Sequence, residues 1–586
     1  MYRPVLDAVG GSLFLTAVLA MLPLLTLFIL LGVVKMTAWK AALISLGVSL
    51  VVAVFAYSMP AGQALDAGLE GAVFGFFPIL WIVINAIWIY RMTVETGHFD
   101  VLRRSFAKVS DDQRIQAVII AFCFGALLEA LAGFGTPVAI TSVMLIALGF
   151  RPIKAAVVAL VANTAPVAFG ALAIPITTLA TVSGQPEHTL SQIVGRQTPL
   201  LAVFVPMALV FIIDGVRGVR ATLPATLTCG LTFALTQFAV SNYVSTQLTD
   251  IIASLAAAAS VVLLLRVWRP SDSYVEEPEM ATATSAGSTS GGMGRGAGDL
   301  SAPTLIATAA DREGYPVAQG TGSGSGTATQ AAAEDINHKD SRTEVFKAYA
   351  PYLIIIVVFA LAQIPAIRDA LAATTVKLQW PGLHLQSASG KPSKVPTFTL
   401  NWLAAGGTLL ILAGLITIPV LGVPLAKAFQ AYLDTYRQLK FAIITVMAVL
   451  ALAYVMNASG QTATLGLWMA GAGAAFAFLS PILGWLGVGV TGSDTSSNSL
   501  FGALQVSAAT KAGLSPALMA AANSSGGVLG KMISPQNLAI AAAAVGLSGK
   551  EGDIFRKVIG WSLGFLVLMC AIVYLQSTPV LSWMLP

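Results

Sequence analysis

Two short irregular stretches interrupt long apolar ones. They are Gly133-Phe134-Gly135-Thr136-Pro137, at the centre of residues 115–150, and Thr491-Gly492-Ser493-Asp494-Thr495-Ser496-Ser497-Asn498, at the centre of residues 463–512. The chain around them has 586 residues, of which 56% are hydrophobic and 10% charged, against roughly a quarter charged in a soluble domain. That composition describes an all-α polytopic membrane protein. It excludes a soluble enzyme, a disordered chain and a secreted disulfide scaffold. Irregular backbone at bilayer depth is tolerated only where it is buried in protein or lines a cavity. Each interrupted stretch therefore reads as a re-entrant helical hairpin with its tip in the protein interior.

Working outward, apolar runs long enough to cross a bilayer occupy 11–34, 38–57, 69–90, 153–182, 199–213, 221–241, 248–267, 346–365, 401–422, 441–457, 515–546 and 557–577. This predicts about twelve spanning helices plus the two hairpins. The first run, Gly11–Val34, is too long for a signal segment and reads as a retained helix. Basic residues mark cytoplasmic loops. Arg91, Arg104 and Arg114 precede the first hairpin, and Arg151 and Lys154 follow it, so it enters from the cytoplasm. On the same count Asp66, Glu70, Glu187 and His188 lie outside, and the second hairpin enters from outside.

Residues 269–345 separate two halves, 1–268 and 346–586. The separating region is rich in Ser, Gly, Thr and Ala, and from 270 on it holds four Lys and Arg against eleven Asp and Glu. It reads as a cytoplasmic low-complexity linker, more simply a flexible tether than a docking segment. Residues 366–400 read as a small external cap. The halves share a pattern: Asn163-Thr164-Ala165-Pro166-Val167-Ala168-Phe169-Gly170 matches Asn523-Ser524-Ser525-Gly526-Gly527-Val528-Leu529-Gly530, with Pro175 and Pro535 each five residues further on. Paired broken helices in inverted repeats place a transporter's site at the repeat interface near the midplane.

The chemistry follows from these tips. Thr136-Pro137 suits a helix start, and a helix start aimed at the interior is ready to hold a carboxylate. Gly133, Phe134, Gly135 and Thr136 are accordingly candidate substrate contacts. The bland alternative is a glycine-rich packing kink. The second tip offers Gly492, Ser493, Thr495, Ser496, Ser497 and Asn498, unless it is an extramembrane loop. Asn163, Thr164, Asn523 and Ser524 come from the broken helices, where unwound backbone would bind substrate; ordinary helix–helix hydrogen bonding is the competing explanation. Three ionisable residues fall inside the bilayer: Glu129, Asp494 and Lys531. Each costs roughly 3 kcal/mol to insert, so such residues usually serve a pathway. Lys531 is the natural counter-ion for an anion. Glu129 is the first candidate for a coupling proton, since apolar surroundings favour the uncharged acid, and Asp494 is the second. A structural ion pair of Lys531 with either carboxylate is the alternative.

Other residue types narrow the reading. The three Cys stand singly in apolar runs, and the four His stand outside them. Neither pattern has metal-ligand spacing, so no metal, cofactor or catalytic residue is expected. The net charge of +5 reflects orientation rather than nucleic-acid binding. A membrane-embedded enzyme would want a catalytic domain in a sizeable loop, and a channel would want a continuous polar stripe.

At these residues the chain resembles the bacterial lactate permease family. One block runs from Phe124-Gly125-Ala126-Leu127-Leu128-Glu129 through Gly133–Thr141 to Asn163–Gly170. The other runs from Ser480-Pro481 and Gly484-Trp485-Leu486-Gly487 through Thr491–Asn498 to Gly530-Lys531-Met532-Ile533-Ser534-Pro535-Gln536. The resemblance covers nearly the whole chain except 270–345. It implies a multi-pass protein of the bacterial cytoplasmic membrane that imports L-lactate, glycolate and related 2-hydroxy monocarboxylates with a proton. It also implies kinship with elevator-type transporters, in which a hairpin-bearing domain moves against a scaffold, often in a homodimer. A sodium-coupled carrier of carboxylates or other organic anions would use the same architecture, with the Ser493–Asn498 cluster holding the ion.

Overall fold

The computed structural model describes all residues except 35, 108, 111, 132, 134, 271, 277–339, 363, 387–396 and 548–549. Phe134 and most of the 269–345 linker thus lie outside the described residues. The first half comprises α1 (Leu13–Phe28), α2 (Ala38–Phe55), α3 (Ala61–Phe74), α4 (Trp81–Glu95), α5 (His98–Ala107), α6 (Gln113–Ala117), α7 (Gly125–Leu131), α8 (Thr136–Ala147), α9 (Pro152–Ala162), α10 (Gly170–Ser183), α11 (Glu187–Ala202), α12 (Val205–Tyr243) and α13 (Thr249–Leu264). A π-helical segment, Val118–Phe124, joins α6 to α7. The second half comprises α14 (Arg342–Ala362), α15 (Pro365–Ala372), strands β1 (Val376–Gln379) and β2 (Thr397–Leu400), α16 (Gly406–Leu421), α17 (Leu425–Ser459), α18 (Gln461–Met469), α19 (Phe476–Thr491), α20 (Asp494–Ala512), α21 (Pro516–Gly530), α22 (Pro535–Ala544) and α23 (Glu551–Gln576).

Among the described residues nine helical segments are long and apolar enough to cross a membrane, or ten if the bent pair α9 and α10 counts as one. The expected twelve differ for a geometric reason. Glu187–Tyr243 runs as one 57-residue helical stretch. At 1.5 Å per residue that is about 85 Å, far more than one crossing of a roughly 30 Å core. Non-helical Asp214 and Gly215 break it. The runs at 248–267 and 401–422 form helices of only 16 residues each.

Burial separates lipid-facing helices from interior ones. Leu13–Leu31 is 33% buried, whereas Gln113–Leu131, the first arm of the first hairpin, is 94% buried. Phe14, Phe55, Leu235 and Val567 point outward as large exposed apolar side chains, as a lipid solvent permits. That hairpin arm meets protein on nearly all sides, the condition for an irregular tip, whereas Gln461–Thr491, which leads into the second tip, is 39% buried and also turns Phe478, Leu479 and Leu486 outward.

The closest helix packing is α19 against α21. A Cβ on Gly484 would collide with the Asn523 carbonyl, one on Gly526 with the Pro481 carbonyl, and one on Gly530 with the Trp485 carbonyl. Small residues let the two backbones touch, the usual means of helix association in membranes. Gly526→Ala is expected to lower stability by about 1–3 kcal/mol, seen as a lower Tm in detergent. Gly552→Ala, where a Cβ meets nothing within 4 Å, is the neutral control.

The linker's first residues are anchored. Arg114, fully buried, pairs with Asp112 at 2.7 Å, Asp214 at 2.9 Å and Asp272 at 3.0 Å. Glu276 pairs with Lys154 at 2.8 Å and Arg151 at 3.3 Å. The Arg114 hydrogen bond holds the Asp272 carboxyl below the usual range, and Arg217 adds to the effect. This contact is therefore complete at neutral pH and lost only as pH falls through that depressed value. At the other end Asp340 pairs with Arg104 at 2.5 Å. The cap is a two-stranded antiparallel sheet, β1 with β2. Tyr2 bridges to Leu385, so the N-terminal segment packs against the cap.

Candidate functional site

Both hairpin tips reach one cavity. Gly133 and Gly135 hold left-handed φ values of +55° and +79°, which turn the chain sharply enough for α8 to begin inside the protein. In the second hairpin Gly492 (φ +76°) does the same. Ser493 then caps α20 by accepting from the Ser496 N–H, as a serine N-cap should. A third helix start, α22, arises at Ser534-Pro535. Proline excludes helical geometry at the residue before it, and Ser534 is extended (ψ 138°) while capping Asn537 N. Asp494 lies in the first turn of α20, where the helix dipole favours negative charge.

The charged residues come together across the two halves. Lys531 Nζ donates to Glu129 Oε1 at 2.5 Å, an ion pair between two buried side chains. Asn163 Nδ2 donates to Glu129 Oε2 at 3.0 Å. Gly170 permits this approach: a Cβ there would stand 2.8 Å from Glu129 Oε1. Asp494 accepts from Ser524 Oγ at 2.5 Å and from Asn498 Nδ2 at 3.3 Å. Its Oδ1 has no partner among the described residues. Lys531 and Glu129 share the cavity wall with it. Asn498 Nδ2 also donates to the Pro175 carbonyl of the first half at 3.1 Å. After that half's break, Ala171, Leu172 and Ala173 hold left-handed φ values of 44°, 58° and 59°. Such backbone costs about 1–2 kcal/mol per residue and is found where surrounding structure enforces it.

The cavity holds about 630 Å3, within the range of small-molecule sites. It runs from Glu129, Lys531 and the second tip to Met36–Trp39, Phe441 and Phe555. Of the residues expected from sequence, Glu129, Gly133, Gly492, Ser493, Asp494, Thr495, Ser496 and Lys531 line it. The other described ones stand behind. Gly135 packs against Asn537 and Ile540, and Thr136 is buried in the first turn of α8. Ser497 donates to the Gly484 carbonyl, and Asn523 donates to Asn498 Oδ1 at 2.8 Å. Thr164 borders a separate small void. Asn523 and Ser524 were expected in unwound backbone. They sit instead in the continuous helix α21, and the break follows at the 3-10 turn Lys531–Ile533.

Several lining residues were not foreseen. Gln536 and Asn537 at the start of α22, and Ile174 and Pro175 after the first break, face the cavity. The sequence signal was present in Ser534-Pro535, which places a helix start beside Gln536. The wall formed by Trp39 and Phe441, stacked at 5.6 Å, carries no such signal.

The family model described as L-lactate permease matches residues 16–308 and 321–580. The L-lactate permease of Bacillus subtilis is 39% identical over 99% of this chain and 98% of its own length. Glycolate permease GlcA of Escherichia coli is 39% identical over 98% of this chain and 97% of its own. Among solved structures, MtrF of Neisseria gonorrhoeae is similar over 94% of this chain and 97% of that one, at 13% identity and a TM-score of 0.47. The chain belongs to the L-lactate permease family.

Proposed function

We propose that this protein imports L-lactate and related 2-hydroxy monocarboxylates, glycolate among them, across the bacterial cytoplasmic membrane by proton symport. The observation that carries the proposal is the Lys531–Glu129 ion pair on the cavity wall. An anionic substrate needs a cation, and Lys531 is held by Glu129. A proton on Glu129 weakens that pair and frees Lys531 for the substrate carboxylate. Proton and anion then bind together or not at all.

Charge balance supports this coupling. With all three ionised, Glu129, Asp494 and Lys531 sum to −1. One anion alone would take that to −2 in a poorly solvated site, where like charges are costly. One anion with one proton leaves it at −1. The helix starts at Ser493-Asp494 and Ser534-Pro535 add backbone N–H groups for the carboxylate, and Ser493, Thr495 and Ser496 offer hydroxyls to the substrate's own hydroxyl.

The two halves act as inverted repeats in this reading. The hairpin-bearing elements move as an elevator against the helices of Trp39 and Phe441, in a homodimer. The cavity is lined by both groups of elements, where such a motion would open it. A sodium-coupled reading draws on one observation: the unpartnered Asp494 Oδ1 amid hydroxyls is an oxygen cluster suited to a hard cation.

Uptake of labelled L-lactate by purified protein in liposomes separates the two. An inward proton gradient without sodium is expected to drive accumulation, and a sodium gradient without a proton gradient is not. Accumulation only with sodium would move coupling to the Ser493–Asn498 tip. No accumulation in either arm would make lactate the wrong substrate.

A further inference from the structure

The start of α22 stands between the two hairpin tips and presents an amide that the coupling scheme leaves unused. Gln536 is the second residue of that helix and lines the cavity. Its side chain lies on Gly492 of the second tip, where a Cβ would collide with Gln536 Oε1. Gly492 therefore serves twice. Its left-handed φ turns the chain, and its missing side chain leaves room for the amide. Asn537, the next residue, faces the other tip: a Cβ on Gly135 would stand 3.3 Å from Asn537 Oδ1. The half-buried Gln536 amide makes no hydrogen bond to another described residue.

Lys531 and Gln536 belong to one braced turn. The Lys531 carbonyl accepts from Ser534 N at 3.3 Å, Ser534 Oγ at 3.0 Å and Asn537 Nδ2 at 3.1 Å. Asn537 Nδ2 also donates to Ser534 Oγ at 2.9 Å, and Pro535 fixes its own φ. Ser534 and Asn537 are buried, so solvent does not compete for these bonds. The cation and the amide thus keep a set relation to each other. A 2-hydroxy monocarboxylate carries its carboxylate and its hydroxyl on neighbouring carbons. The hydroxyl has one proton to donate and lone pairs to accept, and a glutamine amide offers a carbonyl oxygen and an NH2 group to match. Ser493, Thr495 and Ser496 meet the cavity from the second tip, a separate element. Ser493 Oγ is already engaged there in capping α20.

We infer that Gln536 is the specificity-determining residue for the substrate's 2-hydroxyl, while Lys531 takes the carboxylate from the same turn. The pair selects a small monocarboxylate with a hydroxyl on the neighbouring carbon over the same acid without it. An acid lacking the hydroxyl leaves the amide unpaired in a poorly solvated site, which is costly. A site made to hydrogen-bond a hydroxyl rejects the analogue without one far more strongly than an apolar pocket rejects a missing methylene. This assignment rests on the proposed transport of 2-hydroxy monocarboxylates and not on the coupling ion.

The test is calorimetric titration of purified protein in detergent with L-lactate and with propionate, which is lactate without its hydroxyl. The proteins are the wild type, Gln536→Met and Gln536→Asn, each checked for folding by its Tm. The wild type is expected to bind lactate at least about 100-fold more tightly than propionate. Gln536→Met keeps the side chain's length without the amide. It is expected to weaken lactate by about 10–100-fold and to leave propionate within about twofold. Gln536→Asn draws the amide back by one methylene and is expected to narrow the ratio in the same direction. It carries the test if Gln536→Met does not fold. Uptake of labelled lactate by the wild type in liposomes is the companion measurement. No uptake under either ion gradient would end the transport reading and this inference together. A wild type that takes up lactate but binds propionate equally well would end this inference alone. So would a folded variant that weakens both acids alike, as a packing role would, or that leaves their ratio unchanged.

Discussion

Lys531→Met is expected to abolish lactate uptake, lowering it at least 100-fold, while the protein remains in the membrane. Two effects combine. The substrate carboxylate loses a charge-assisted hydrogen bond of about 1.5–3 kcal/mol. It must then sit beside Glu129 and Asp494 with no cation between them, which like-charge repulsion opposes. Methionine keeps much of the side chain's length and bulk, so packing around the 3-10 turn Lys531–Ile533 is preserved. The variant also strands Glu129, and breaking a buried ion pair from one side costs about 3–5 kcal/mol. A second variant divides binding from stability. Glu129→Gln combined with Lys531→Met removes both charges, so its Tm is expected to return toward the wild type. Its uptake should stay lost. If the double variant regains both stability and transport, the ion pair is structural and the substrate's cation lies elsewhere. A Lys531→Met protein that folds and takes up lactate at the wild-type rate would end the counter-ion role.

How much of this site could be read from the chain depends on how local each signal is. The two tips were legible because polar and glycine residues inside apolar runs have few explanations in a bilayer. The glycines and the Thr136-Pro137 step that turn the chain there are backbone signals, independent of distant partners. The partner of Lys531 was not legible. Glu129 and Asp494 were equal alternatives, and the pair that forms spans 402 positions. Asn523 and Ser524 misled for a related reason. Small polar residues mark a break only when their side chains compete for the local backbone. Here theirs are drawn off to Asn498 and Asp494, and α21 continues past them. The span count erred at helix lengths, since apolar composition does not say where a helix of 16 residues ends or where one of 35 runs on past the lipid.

Glu129→Gln should separate carrying lactate from accumulating it. Glutamine has the volume and neutrality of a protonated glutamate, and its carbonyl can still accept from Asn163. It cannot hold Lys531 as an ion pair. Lys531 is then open to the substrate at every pH, with no proton required. Lactate counterflow at equal pH is therefore expected to persist, with a pH dependence flatter than that of the wild type. Accumulation against a gradient should vanish. For one proton per anion, an inward gradient of one pH unit sustains up to about tenfold accumulation, because a pH unit corresponds to about 1.36 kcal/mol. The ratio for Glu129→Gln should fall to about one. The same measurement tests the competition on which coupling depends. In the wild type, raising the pH on both sides should weaken lactate binding as Glu129 reclaims Lys531, whereas in Glu129→Gln it should not. A Gln variant that still concentrates lactate along a proton gradient would remove Glu129 from the coupling step. It would pass that role to Asp494, the other carboxylate on the cavity wall, whose partners Ser524 and Asn498 would then be the next residues to change.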